Sequence, residues 1–436
     1  MEWWLTLSIV FGGFVVLLFL GVPVAFAFMM VNIMAMIFLW GGGGLSQLIL
    51  SIYNSISTFA LLPVPLFVLM GEVMFHTGVA SQMIDALDKW LGRLPGRLAL
   101  LSVGAGTLFA TLSGSSIASC AMLGSVLVPE MERRGYKKPM SLGPILGSSG
   151  LAIMIPPSAL GILLAAIARI SAGRLLIAII LPGLVMAVLR GAYIITRAYL
   201  QPSIAPSYDV KHIPLTEKVK SFAAYVLPLG AIIFLVIGVI YLGVATPSEA
   251  AALGAIGCFI LAAAYGKLNW EHVNKSVSGT VQITVMMFMI FMGSSAFAQI
   301  LAYTGATRGL LEVVMSLDLT PIVILIGMQI TLLIMGMFME PLSIMMVAIP
   351  IYWPIIGALG FSPIWFGAIM LLNMEMATTS PPFGLNLYVM KGVAPSDTTM
   401  GDIYRAALPF IGCDLAAMAL MISFPAVVLW LPGLMV

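Results

Sequence analysis

The sequence predicts an all-α polytopic membrane protein of two inverted-topology repeats, each with a re-entrant helical hairpin and a broken transmembrane helix. Three observations predict it. The 436 residues are 61% hydrophobic and 8% charged, with a mean hydropathy of +1.13, and apolar runs in that proportion read as membrane spans. Stretches of sequence recur in order at a nearly constant separation. Lysines and arginines gather in short loops, which fixes the side each loop faces. The net charge of +2 gives no ground for nucleic-acid binding, because the basic residues are scattered. Met1–Leu20 has no basic region before its apolar run and no small-residue cleavage site, so it is expected to be a first span and not a signal peptide.

The repeats define the halves. "FLGVPVAF" around Gly21 resembles "YLGVATPSEA" around Gly243, and "FHTGVA" (75–80) resembles "AYTGAT" (302–307). "GYKKPMSLGPILGSSGLAIMIPPSALG" (135–161) lies on "GFSPIWFGAIMLLNMEMATTSPPFGLN" (360–386) without a gap. That alignment sets Gly135 on Gly360 and Pro156-Pro157 on Pro381-Pro382. The expected halves are 1–200 and 221–436, joined by a polar, proline-rich cytoplasmic linker at 201–220. Scaffold helices are expected at 3–40 and 222–265.

The first hairpin is expected at 98–128. Arg93 and Arg97 precede this run, and Arg133, Arg134, Lys137 and Lys138 follow it, so both flanks face the cytoplasm. About fifteen residues lie on either side of "SGSSIASC" (113–120), roughly 22 Å of helix at 1.5 Å per residue. A bilayer core needs ~30 Å. A segment that dips in and returns meets both conditions, with Gly114 at a tip that must be buried in protein or line water. The second hairpin is expected at 321–355, entered from outside, because Glu340-Pro341 falls at its middle and no basic flank follows.

A broken helix follows each hairpin, at 140–168 and at 364–390. Pro156-Pro157 and Pro381-Pro382 cannot continue a helix without losing hydrogen bonds. Matching breaks in inverted halves point to a transporter binding site near the bilayer midplane. Hydroxyls and freed carbonyls around Ser113, Ser115, Ser116, Ser148 and Ser149 can replace the water shell of a small cation such as sodium. The second such constellation is Glu340, Asn373, Thr378, Thr379 and Ser380. Helix N-termini facing the same cavity favour an anionic substrate.

"LSGSSIAS", "GYKK", "LGSSGLAIMIPPS", "MGMFMEP" and "TTSPPFGLNLYVMKGV", taken in order, resemble the large membrane subunit of tripartite ATP-independent periplasmic (TRAP) transporters over essentially the whole chain. The resemblance implies uptake of an organic-acid anion driven by sodium, an elevator mechanism, and a bacterial inner-membrane location. It also implies two separate partners, a small four-helix membrane subunit and a soluble periplasmic binding protein that delivers the substrate. The candidate cation ligands are Ser113, Ser116, Ser148, Ile155, Pro156, Met339, Glu340, Thr378, Thr379 and Pro381. The candidate substrate contacts are Ser115, Ser116, Ser149, Pro157, Ser158, Glu340 and Pro382.

Glu72, Glu340, Glu375 and Asp414 fall in or beside apolar runs, where acids are expensive and usually functional; Glu72 and Glu375 fit a buried structural pairing equally well. Arg169 and Arg174 read either as snorkelling anchors or as a carboxylate clamp. "HTGVASQMIDALDKWLG" (76–92) is amphipathic and fits the membrane interface. No Walker motif is present, which argues against direct ATP drive. Catalysis is not expected, since no paired catalytic motif is found. The other transport reading is a single-component elevator carrier for dicarboxylates or oxyanions, which would work alone.

Overall fold

The computed structural model describes residues 2–91, 94, 96–113, 115–206 and 213–435, and the side chains of 80, 81 and 110–113 are outside that description. Gly114, Arg93 and the middle of the linker therefore lie outside the described residues. Among the described residues the chain is helical, with no strand. Among those residues, six helices are long and apolar enough to cross a membrane, or up to eight when each of two bent pairs counts as one span.

Helices recur along the chain at a fixed interval. Ser116–Arg133 has its counterpart in Pro341–Ala358, and the segment beginning at Lys138 has its counterpart in the one beginning at Pro363. Met154 and Thr379 end the pre-break segments, and each is followed by a cis Pro-Pro bond, Pro156-Pro157 and Pro381-Pro382. The three glycine pairs noted in the sequence, Gly21/Gly243, Gly78/Gly305 and Gly135/Gly360, all have positive φ. Each ends a helix in the left-handed region that a side chain resists.

Packing separates the helices into two groups. Trp3–Phe19, Val24–Ala35, Gly44–Ile56, Pro63–His76, Leu227–Tyr241, Pro247–Ala264 and Trp270–Tyr303 pack mainly on one another. The hairpins and broken helices, with Ile180–Leu200 and Met400–Ser423, form the other group. In the first group Phe28 sits against Phe14 and Phe297, with ring centroids at 4.3 and 5.4 Å. Gly293 makes this possible, because a Cβ there would be 2.6 Å from the Phe28 Cβ. Asn32 locks the contact by donating to the Gly293 carbonyl at 2.6 Å. Small residues that let helices close are the usual membrane solution.

One element differs from the sequence reading. The end of the 201–220 linker is already helical, as Leu215–Tyr225. Lys89 holds it to the amphipathic helix Val79–Asp88, donating at 2.9 Å to both Glu217 and Ser221. The single long helix Trp270–Tyr303 corresponds in the first half to two pieces, Gly44–Ile56 and Pro63–His76, parted by a short turn at Phe59–Leu61. Pro63 and Pro65 lack the N–H groups that would continue the helix across that turn.

Candidate functional site: hairpin tips and helix breaks

The first hairpin consists of Arg97–Ser113 and Ser116–Arg133. Arg97 anchors its base, donating from Nε and Nη2 to the Asp88 carboxylate at 2.9 and 2.6 Å. At the tip, Ser115 caps the return arm by accepting from the Ala118 N–H at 3.2 Å, which satisfies one of the donors a helix start leaves open. The second hairpin consists of Pro321–Gly336 and Pro341–Ala358. Glu340 begins its return arm and accepts from the Ser343 hydroxyl at 3.0 Å. Gly336 brings this hairpin onto the second broken helix, since a Cβ there would lie 2.5 Å from that of Ala377.

The first broken helix runs from Lys138 to Met154, extends through Ile155 and the two prolines, and resumes as Ala159–Ala168 with a 43° bend. Ser158 caps the resumed segment, accepting from the Gly161 N–H at 3.1 Å while donating to the Ile153 carbonyl at 2.8 Å. The second runs Pro363–Thr379 and resumes as Leu385–Val393. The two breaks differ in exposure: Pro156, Pro157 and Ser158 are buried, whereas Pro382 and Phe383 are exposed.

One side chain gathers the first constellation. Asn386, fully buried, points its Nδ2 at the hydroxyl oxygens of Ser116 (2.7 Å), Ser149 (3.1 Å) and Thr378 (3.1 Å). These come from the first hairpin tip, the first broken helix and the end of the second pre-break segment. Ser149 and Thr378 spend their own hydrogens on the carbonyls of Leu146 and Glu375, both at 2.8 Å. Two N–H hydrogens cannot serve three acceptors, so the pocket is rich in oxygen and short of positive charge. The Asn386 Oδ1 is itself buried without a partner among the described residues. Hydroxyl and amide oxygens of this kind are what a hard cation prefers.

The remaining expected residues are distributed around this centre. Ser148 and Thr379 are buried nearby but donate to the Ile145 and Met376 carbonyls, at 3.2 Å each, and neither reaches Asn386. The Ser113 side chain lies outside the described residues. Met339 and Glu340 are half-buried at the second tip, while Pro381 is half-buried at the second break. There Phe338 of the tip and Phe383 of the break hold their rings 5.8 Å apart. Asn373 does not join Glu340; it donates to the Gln329 carbonyl and side-chain oxygens at 2.8 and 3.0 Å. Both hairpin tips thus touch the second break, one through Asn386 and one through Phe383.

A cavity of about 960 Å³ opens between the two helix groups, lined by Ser51, Asn54, Thr58, Arg169, Ser295 and Gln299 among others. Among the described residues, none of the candidate cation ligands and substrate contacts lines it. Arg169, exposed and at φ 54, is the one charged residue in its wall among those described, whereas Arg174 is outside the wall. Sequence reasoning missed Asn386 and Arg190. Arg190 pairs with Glu375 and with Asp414 in the interior. An arginine in the middle of the apolar run 175–198 was the available signal.

Two helical hairpins whose tips meet paired helix breaks, set among helices long and apolar enough to cross a bilayer, make this a multi-pass membrane protein. The chain belongs to the family described as "Tripartite ATP-independent periplasmic transporter, DctM component", whose profile matches residues 11–427. It is 33% identical to the C4-dicarboxylate TRAP transporter large permease protein DctM of Pseudomonas aeruginosa, over 91% of this chain and 92% of that protein. It is 29% identical to the ectoine TRAP transporter large permease protein TeaC of Halomonas elongata, over 96% and 97% of the two chains. The isethionate TRAP transporter permease protein DctMQ of Oleidesulfovibrio alaskensis is 30% identical; the match takes 98% of this chain and 66% of that longer protein. In fold, the chain resembles the YdaH transporter of Alcanivorax borkumensis at TM-score 0.64, with 15% identity over 87% of this chain and 88% of that one.

Proposed function

We propose that this chain is the transporting subunit of a sodium-coupled uptake system for an organic-acid anion in a bacterial inner membrane. The observation that carries the proposal is the convergence of Ser116, Ser149 and Thr378 on Asn386, an oxygen-rich pocket at the hairpin tip and helix breaks. Sodium enters that pocket with hydroxyls and carbonyls in place of its water shell. Four helices start at the tips and breaks, at Ser116, Ala159, Pro341 and Leu385, and their N-terminal dipoles favour the carboxylate of the substrate. The relatives named for C4-dicarboxylates and isethionate support an anionic cargo.

The halves act as inverted repeats in this reading. The hairpin-bearing group moves as an elevator against the scaffold helices, which a small membrane subunit braces. A periplasmic binding protein delivers the substrate. The relative named DctMQ supports a small-subunit partner. The reading assigns transport and no bond-making chemistry.

Sodium dependence tests the pocket. Ser116→Ala and Thr378→Ala are each expected to raise the sodium concentration for half-maximal uptake about five-fold, for a loss of about 1 kcal/mol per ligand. Ser125→Ala, exposed on the same hairpin, should leave it unchanged. Full uptake by the wild-type protein in sodium-free buffer would defeat the reading and turn attention to protons at Glu340 or Glu375.

A further inference from the structure

The cavity of about 960 Å³ takes its walls from both helix groups. One wall comes from Gly44–Ile56, the turn at Phe59–Leu61, Pro247–Ala264 and Trp270–Tyr303. The other comes from the end of Ala159–Ala168, the turn at 169–171 and the return arm of the second hairpin. A volume approaching 1,000 Å³ (about the upper end for small-molecule sites) holds an organic acid with room for water. Asn386, Ser116, Ser149 and Thr378 are not among its lining residues, so it is a separate place in the fold.

Its chemistry is a single cation among neutral groups. Among the described residues no acid lines the cavity, and Arg169 has neither an ion-pair nor a hydrogen-bond partner. Glu249, next to the wall, is held outside it by the Thr246 N–H and hydroxyl at 2.7 and 2.8 Å. Arg169 ends Ala159–Ala168 at φ 54, with the Ile170 N–H closing onto the Ala165 carbonyl at 3.0 Å. Glycine adopts that backbone without strain; an arginine there accepts the strain and keeps a guanidinium in the wall. Ser55, Thr58 and Ser294 spend their hydrogens on the carbonyls of Ser51, Asn54 and Met346, at 2.7, 2.9 and 2.6 Å. Ser51 does not: its Oγ is buried with no partner among the described residues. A buried hydroxyl in that state is costly until an occupant pairs with it.

We propose that this cavity is a second anion site, which holds one carboxylate of a small organic acid on the Arg169 guanidinium. Paired guanidinium N–H donors match the two oxygens of a carboxylate. Ser51 and the amide of Gln299, whose oxygen already accepts from Gln47 at 3.2 Å, serve the uncharged part of the molecule. A second carboxylate on the same skeleton finds no cation in the wall, so the site prefers a monoanion to the matching dianion. Arg174 lies outside the wall and takes no part. Binding here does not depend on the transport reading, although an occupant would touch both helix groups.

Saturation-transfer NMR on the full chain in lipid nanodiscs tests this, with monomethyl succinate and succinate as the probes. The buffer contains potassium and no sodium, and no partner protein is added, so a negative result leaves the sodium pocket untouched. Monomethyl succinate should bind saturably, and succinate about five-fold more weakly for want of a second counter-charge. Arg169→Gln should weaken monomethyl succinate by about ten-fold or more, through loss of the charge-assisted pair. Arg169→Gly should lose binding to the same extent yet melt no lower than the wild type, since glycine relieves the backbone. That variant separates lost recognition from lost folding. Arg174→Gln should bind as the wild type does. No saturable binding by the wild type, or undiminished binding by Arg169→Gln, would overturn the proposal. Equal affinity for the two probes, or an equal loss in Arg174→Gln, would overturn it as well, by tracing the binding to general surface charge.

Discussion

Arg190→Met is expected to destabilise the protein by about 3–5 kcal/mol, the usual consequence of removing one partner from a buried ion pair. The guanidinium provides the counter-charge within the Glu375–Asp414 cluster, where all three side chains are at most 2% exposed. Methionine fills much of the volume but leaves Asp414 and Glu375 without their counter-charge. The damage is therefore electrostatic, and it should be reversible by removing the second charge. Arg190→Met combined with Asp414→Leu is expected to recover most of the loss, as buried ion pairs replaced by apolar residues often do. Thermal unfolding of the three proteins in the same lipid mixture provides the comparison. A double variant no more stable than the single one would show that shape, and not charge, is what Arg190 supplies.

Gly384→Ala is expected to abolish transport while leaving a folded protein. Gly384 starts the segment after the second break, where a Cβ would lie 2.7 Å from the Thr378 carbonyl oxygen and 2.9 Å from both the N and O of Ser380. All three atoms are backbone, so no rotamer change relieves the contact. Thr378 and Ser380 must move apart from Gly384, and Asn386, two residues on, moves with it. The cost in stability should be about 1–3 kcal/mol, typical of an overpacked interior. The functional cost should exceed ten-fold, because the Asn386 contacts to Ser116, Ser149 and Thr378 depend on that spacing. Gly392→Ala is the control, since nothing lies within 4 Å of a Cβ there, and it should retain activity. Equal activity in the two variants would remove Asn386 from the centre of the account.

The architecture was legible in the sequence wherever covalent or charge constraints are local. Prolines forbid a continuous helix at 156–157 and 381–382, and the two arms Arg97–Ser113 and Ser116–Arg133 meet where the sequence placed the first hairpin. Positive-φ glycines fall at the positions matched in the sequence even where the surrounding apolar text differs. Contacts chosen in three dimensions were not legible. Asn386 looks like one polar residue in a short apolar segment, and only folding sets it against Ser116, some 270 residues earlier. Likewise Asn373 appeared to belong with Glu340, but the side chain that reaches it is Gln329. The linker helix Leu215–Tyr225 was hidden by its polarity, part of which serves the contact of Glu217 and Ser221 with Lys89.

In the proposed function this chain moves an organic anion with sodium, and only together with its two partners. The most direct measurement is uptake of a labelled organic-acid anion into proteoliposomes under an imposed inward sodium gradient, with the small membrane subunit and the periplasmic binding protein each supplied or withheld. The account predicts accumulation with all three components and the gradient present. It predicts none when either partner or sodium is left out. Accumulation by the chain alone, as fast as by the complete set, would contradict it and identify a single-component carrier.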